Sequence, residues 1–67
     1  MDRNKLEFSY FFNAGYDYAT GECDLEGSDI FYEGHYVGSV WWKLPSELAM
    51  MDDDELQEAF NNANILI

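Results

Sequence analysis

Uncompensated negative charge constrains this chain more than any other feature. Fourteen Asp and Glu stand against three Lys and Arg in 67 residues, a formal net charge of -11. Such a balance usually keeps a chain disordered, because like charges repel and little apolar surface is left to offset chain entropy. Here it is accompanied by Phe8, Tyr10, Phe11, Phe12, Tyr16, Tyr18, Phe31, Tyr32, Tyr36, Trp41, Trp42 and Phe60. Those side chains are core material, so the sequence predicts a folded acidic body. Its field disfavours nucleic acid and anionic membranes, both polyanions, and favours a cationic partner.

Residues 1–67 have room for a single acidic domain with one small core, of the kind that supplies about 3–5 kcal/mol net. The usual staples are missing. Cys23 is the lone cysteine, so no internal disulfide forms, and Cys23 with His35 is too small a ligand set for structural zinc. No metal or cofactor is expected. A lone thiol fits a reducing compartment. No apolar run reaches the roughly 18–20 residues of a membrane span, and Met1-Asp2-Arg3-Asn4-Lys5 lacks the apolar stretch of a signal peptide. The expected location is the cytoplasm.

Along the chain, Leu6, Phe8, Tyr10 and Phe12 alternate with Glu7, Ser9 and Phe11, the period of a half-buried strand. Asn13-Ala14-Gly15 reads as a turn, with residues 16–20 pairing back on that strand. Residues 21–29 are rich in Gly, Ser and acids and read as a loop or a frayed edge strand. Ile30-Phe31-Tyr32 and Tyr36 to Trp42 flank Glu33-Gly34-His35 as a second hairpin, with Gly38 marking a bulge or a close approach of another backbone. Pro45 ends the sheet, and Ser46 caps a short helix from Glu47 to Met51. Asp52 and Glu55 have capping-box spacing, and Leu56, Ala59, Phe60 and Ala63 form one apolar stripe on a helix. The pattern leaves open one helix over 46–62 or two meeting at 51–53. Ile65-Leu66-Ile67 packs on the sheet or sits in an interface. The predicted class is α+β: a small antiparallel sheet of 3–4 strands followed by one or two C-terminal helices.

Few residues suggest chemistry. Glu22, Asp24, Glu26, Gly27 and Glu33 fall on the first, third, fifth, sixth and twelfth positions of a calcium-binding EF-hand loop. Its first position prefers Asp, its eighth is here Asp29 instead of an apolar residue, and both flanks read as strands, so a solvated acidic turn is the expectation. Asp52-Asp53-Asp54-Glu55, with Glu58 one turn on, reads as a helix N-terminus that also presents a charged face. His35 lies in a turn without a nucleophile to serve, and Cys23 sits among acids that disfavour its thiolate. A chain this short has little room to wall a cleft around two carboxylates, so no enzyme is expected. If 41–42 is strand, Trp41 and Trp42 point to opposite faces, one filling the core and the other exposed as a contact residue.

The acids are placed unevenly. Glu7, Asp17, Glu22, Asp24, Glu26, Asp29 and Glu33 lie between Leu6 and Trp42 with no Lys or Arg among them, and six more follow from Leu44 to Ile67. Ordinary surfaces intersperse both signs. If extended, Glu22, Asp24 and Glu26 form a row spaced about 6.7 Å apart on one face, a substitute for phosphates in a groove lined with Lys and Arg.

Size, charge and aromatic content together resemble the small acidic inhibitors that phages and plasmids direct against host defences, among them DNA-mimic antirestriction proteins, uracil-DNA glycosylase inhibitors and anti-CRISPR proteins. Local segments resemble the ArdA antirestriction family: Phe12-Asn13-Ala14-Gly15, Glu22-Cys23-Asp24-Leu25 and Asp53-Asp54-Glu55-Leu56-Gln57-Glu58-Ala59. The resemblance implies a non-enzymatic inhibitor that fills the nucleic-acid groove of a CRISPR effector or restriction enzyme with Asp and Glu side chains. The expected contacts are one patch of Glu22, Asp24, Glu26, Asp29 and Glu33, another of Asp52, Asp53, Asp54, Glu55 and Glu58, and Trp42 as anchor. The alternative is an interaction module that dimerises or docks on a larger subunit through exposed aromatics and the apolar C-terminal tail.

Overall fold

The computed structural model describes residues 1–14 and 24–67. A short 3-10 turn, Arg3–Lys5, is capped by the Asp2 carboxylate, which accepts from the Asn4 N–H at 3.0 Å. Three strands follow, β1 (Leu6–Ala14), β2 (Asp24–Tyr32) and β3 (His35–Trp41), and then two helices, α1 (Pro45–Met50) and α2 (Asp53–Asn62). The strands form one antiparallel sheet in the order β1-β2-β3. This is the α+β arrangement that the sequence predicts, with two helices. Residues 16–20, read above as pairing back on β1, lie outside the described residues.

One reading is overturned here. Asp24 to Asp29 are neither loop nor frayed edge; they belong to the central strand. Their composition disfavours a strand taken alone, but β2 pairs with β1 from Leu6↔Tyr32 to Ala14↔Asp24 and with β3 on its other side. The β1 ladder along the whole of β2, joined by the β3 ladder from Gly27 to Tyr32, satisfies its backbone, and that outweighs local propensity. Alternation then assigns the faces. Leu6, Phe8, Ser28, Ile30 and Val40 point towards the helices, while Glu7, Phe11, Asp29, Phe31, Ser39 and Trp41 occupy the open face.

The β2–β3 hairpin turns on Glu33 and Gly34, at φ 53° and 82°. Two positive φ angles define the type I′ turn whose twist matches the flanking strands. His35 opens β3 opposite Tyr32 instead of lying in the turn. The register shifts between Ile30↔Gly38 and Phe31↔Tyr36, leaving Val37 as the extra residue of a bulge. Gly38 sits there at φ 152°, and a Cβ on it would come within 2.6 Å of Ile65 Cγ1. The close approach anticipated at Gly38 is thus made by a side chain of the tail.

Pro45 does more than end the sheet. It occupies the start of α1, where its missing N–H has no partner to lose; Leu44, not Ser46, is the cap residue, and it makes no side-chain cap. The chain breaks at Met51, and Asp52 starts α2 by accepting from the Glu55 N–H at 2.8 Å. The α2 exit is a Schellman turn: Asn64 at φ 59°, with Ile65 N–H donating to Phe60 C=O at 2.8 Å and Asn64 N–H to Asn61 C=O at 3.1 Å. That turn delivers Ile65 to the core beside Ile30, Val40, Leu48, Leu56 and Phe60, with Leu6, Phe8, Val37, Met51, Ala63 and Ile67 around it. The tail therefore packs through Ile65 and Ile67, and only Leu66 is exposed. Ser28, fully buried on the helix-facing side, donates to the Lys43 carbonyl at 2.7 Å and anchors the β3–α1 connection.

Candidate functional site

The sheet divides the first acidic group. Glu26 lies on the helix-facing side, where its carboxylate accepts from the Tyr10 hydroxyl at 2.9 Å. That hydrogen bond, then desolvation, then the carboxylate charge raise the Tyr10 pKa above its ordinary 10.0. Asp29 points the other way and accepts from Ser39 Oγ at 2.7 Å. Since the single Ser39 hydroxyl proton is used there, Tyr36 donates its own to Ser39 Oγ at 2.7 Å. Glu33 sits in the hairpin turn against Lys5 Nζ at 3.3 Å. Asp24 opens β2 opposite Ala14, and Glu22 and Cys23 lie outside the described residues. These acids do not make one patch, and the row expected from Glu22 is described only in part. The EF-hand reading also fails on geometry, since Asp24, Glu26 and Gly27 all lie in one extended strand and not in a ligand-gathering loop.

The second group holds together, because one helix carries it. Asp52 is spent as the cap and Asp53 meets Arg3 at 3.1 Å. Asp54, Glu55 and Glu58 are exposed and make no ion pair with any described residue. Of the three cations, Arg3 and Lys5 are thus each matched to a carboxylate, and Lys43 is without an ion pair among the described residues.

Trp41 and Trp42 are both 61% exposed, so neither fills the core. The opposite-face rule fails because β3 stops at Trp41, while Trp42 takes φ 69° and leaves the strand. Its N–H still donates to the Glu26 carbonyl at 2.7 Å. A bulky residue in the left-handed region costs roughly 1–2 kcal/mol. Beside the Trp41 ring a shallow groove runs between β3 and α2. One end, about 360 Å³, is lined by Trp41, Lys43, Met51, Glu55 and Glu58 among others. The other, about 510 Å³, lies among Tyr36, Ser39, Trp41, Ala59, Asn62 and Asn64. The sequence reading missed this groove. Its one legible sign is the small residues Ala59 and Ala63, read above only as members of the α2 apolar stripe.

Comparison with known protein families, with curated proteins and with solved structures finds no match. Among the described residues no helix is long and apolar enough to cross a membrane, and no cluster of three or more His, Cys, Asp or Glu is placed to hold a metal ion.

Proposed function

We propose that the protein is a non-enzymatic inhibitor that binds the basic nucleic-acid-binding surface of a host defence protein, a CRISPR effector or restriction enzyme, in the host cytoplasm. The observation that carries this reading is the exposed half of α2, where Asp54, Glu55 and Glu58 make no ion pair with any described residue and stand near a groove walled by Trp41. Carboxylates on a rigid helix can meet Lys and Arg that otherwise meet phosphates, and long-range attraction speeds the encounter. Exposed tryptophans supply the apolar anchors that such contacts need. The anti-CRISPR and antirestriction class rests on the resemblance of size, charge and local sequence.

The test is capture of bacterial nucleic-acid enzymes by the tagged protein at low and high salt, followed by competition with DNA or RNA. A basic nuclease or effector released by salt and by nucleic acid is the expected result. Combining Asp54→Asn, Glu55→Gln and Glu58→Lys avoids placing Lys against the helix dipole and should weaken capture roughly tenfold or more at low salt, with circular dichroism unchanged. Undiminished binding by that variant rejects the mimic.

The open sheet face favours a second reading, an interaction module that dimerises or docks through Phe11, Phe31, Tyr36 and Trp41. Of its tail component, Ile65 is part of the core and Leu66 stays exposed. A stable dimer by sedimentation, indifferent to the acidic substitutions, is the outcome that selects it.

A further inference from the structure

β3 is an edge strand: its one partner among the described residues is β2. Trp42 N–H donates to Glu26 C=O, and residues 26 and 42 continue the register Gly27↔Trp41, Ser28↔Val40. In an antiparallel ladder hydrogen-bonded pairs alternate with non-bonded ones. Ser28↔Val40 is therefore a bonded pair, and the N–H and C=O of Ser39 and Trp41 face away from β2. They face the side on which the groove lies, for Ser39 and Trp41 line it together with Ala59 and Asn62 of α2. Ala59 and Ala63 leave room there, and Asn62 and Asn64 add side-chain amides. At the other end Glu55 and Glu58 stand against the single positive charge of Lys43. The groove thus offers unspent ladder groups, an aromatic wall and a net negative end.

Building on the acidic-inhibitor reading, we propose that this groove takes an extended, Arg- or Lys-containing segment of the partner protein as a fourth strand. The segment pairs with the outward backbone groups of Ser39 and Trp41, as in strand addition to a sheet edge. Its basic side chains stack on Trp41 or pair with Glu55 and Glu58. A second copy of this chain is the wrong occupant, because it would bring a net charge of -11 against the same sign.

The test is a titration of the isotope-labelled protein with an acetylated, amidated hexapeptide alternating Arg and Val, followed by amide chemical shifts. Shifts should concentrate at Ser39, Trp41, Asn62 and Asn64. Methylating alternate peptide nitrogens, which keeps the charge but removes ladder donors, should weaken binding roughly tenfold in the registers that pair. A Glu-Val peptide should not bind. Equal binding by the methylated peptides in both registers overturns strand addition yet leaves the acidic reading standing, since charge alone then suffices. Shifts confined to β1, shifts that appear on concentrating the protein without peptide, equal binding of the Glu-Val peptide, or no shifts at millimolar peptide overturn the groove proposal. The acidic reading fails separately, through the Asp54, Glu55 and Glu58 variant.

Discussion

Trp42 couples a local cost to an exposed surface. Its left-handed backbone is the kind of conformation that glycine adopts without penalty, and its ring is largely in water. Trp42→Gly therefore relieves strain while losing modest packing, and its unfolding free energy should stay within about 1 kcal/mol of the parent in urea titration. Partner binding should fall in the same variant. A loss of about 3–5 kcal/mol, as for a core tryptophan, would instead make Trp42 a structural residue. Tyr10 gives a pH signature. Its neutral hydroxyl donates to Glu26, so the folded state holds that proton more tightly than the unfolded chain does. The contribution is complete below pH 10.0 and is lost as pH rises through the elevated folded value. Ultraviolet titration, taken as a difference against Tyr10→Phe, should show Glu26→Gln moving the Tyr10 transition back towards its ordinary position.

The two helices are held at their junction by one side chain from the other end of the chain. Arg3 donates to the Met51 carbonyl at 2.6 Å, to the Ala49 carbonyl at 3.2 Å and to Asp53 at 3.1 Å, closing the end of α1 and neutralising the start of α2. Arg3→Ala should cost about 1–2 kcal/mol in urea unfolding, and Arg3→Lys should recover little, because one ammonium cannot span three acceptors set for a planar fork. Nothing in Met1-Asp2-Arg3-Asn4-Lys5 foretells this clamp, for it depends on chain partners 46 to 50 positions away. The legible elements are those whose signals are local: the alternation of β1, the Glu33-Gly34 turn, the Asp52 cap and the Leu56–Phe60 stripe. β2 is illegible for the opposite reason. Asp24, Glu26, Gly27, Ser28 and Asp29 read as a loop until both neighbouring strands are in place, when Glu26 and Asp29 find hydroxyl donors across the ladders. The candidate site follows the same division. Its α2 carboxylates lie close together in sequence and were legible, while the β3–α2 groove exists only after folding.

The same charge distribution predicts opposite salt responses for folding and for binding. With a net charge of -11 and two ion pairs among the described residues, repulsion between carboxylates outweighs attraction in the isolated protein. Both ion pairs are surface pairs, worth little and weakly salt-sensitive in absolute energy. Added salt shortens the screening length from about 30 Å at 0.01 M to about 8 Å at 0.15 M. Repulsion across a body 41 Å in its longest extent is then largely removed, while neighbouring acids on α2 still interact. If screening recovers about 1 kcal/mol, the melting temperature should rise by roughly 4–8 °C over that range. Association with a basic partner should weaken over the same range, mainly through a slower on-rate. Calorimetric melting at a salt series and association kinetics at the same series test both signs together. A melting temperature that falls with salt would mean that the Arg3 and Lys5 pairs outweigh carboxylate repulsion, and binding that is indifferent to salt would mean that the aromatic surfaces, not the acids, select the partner.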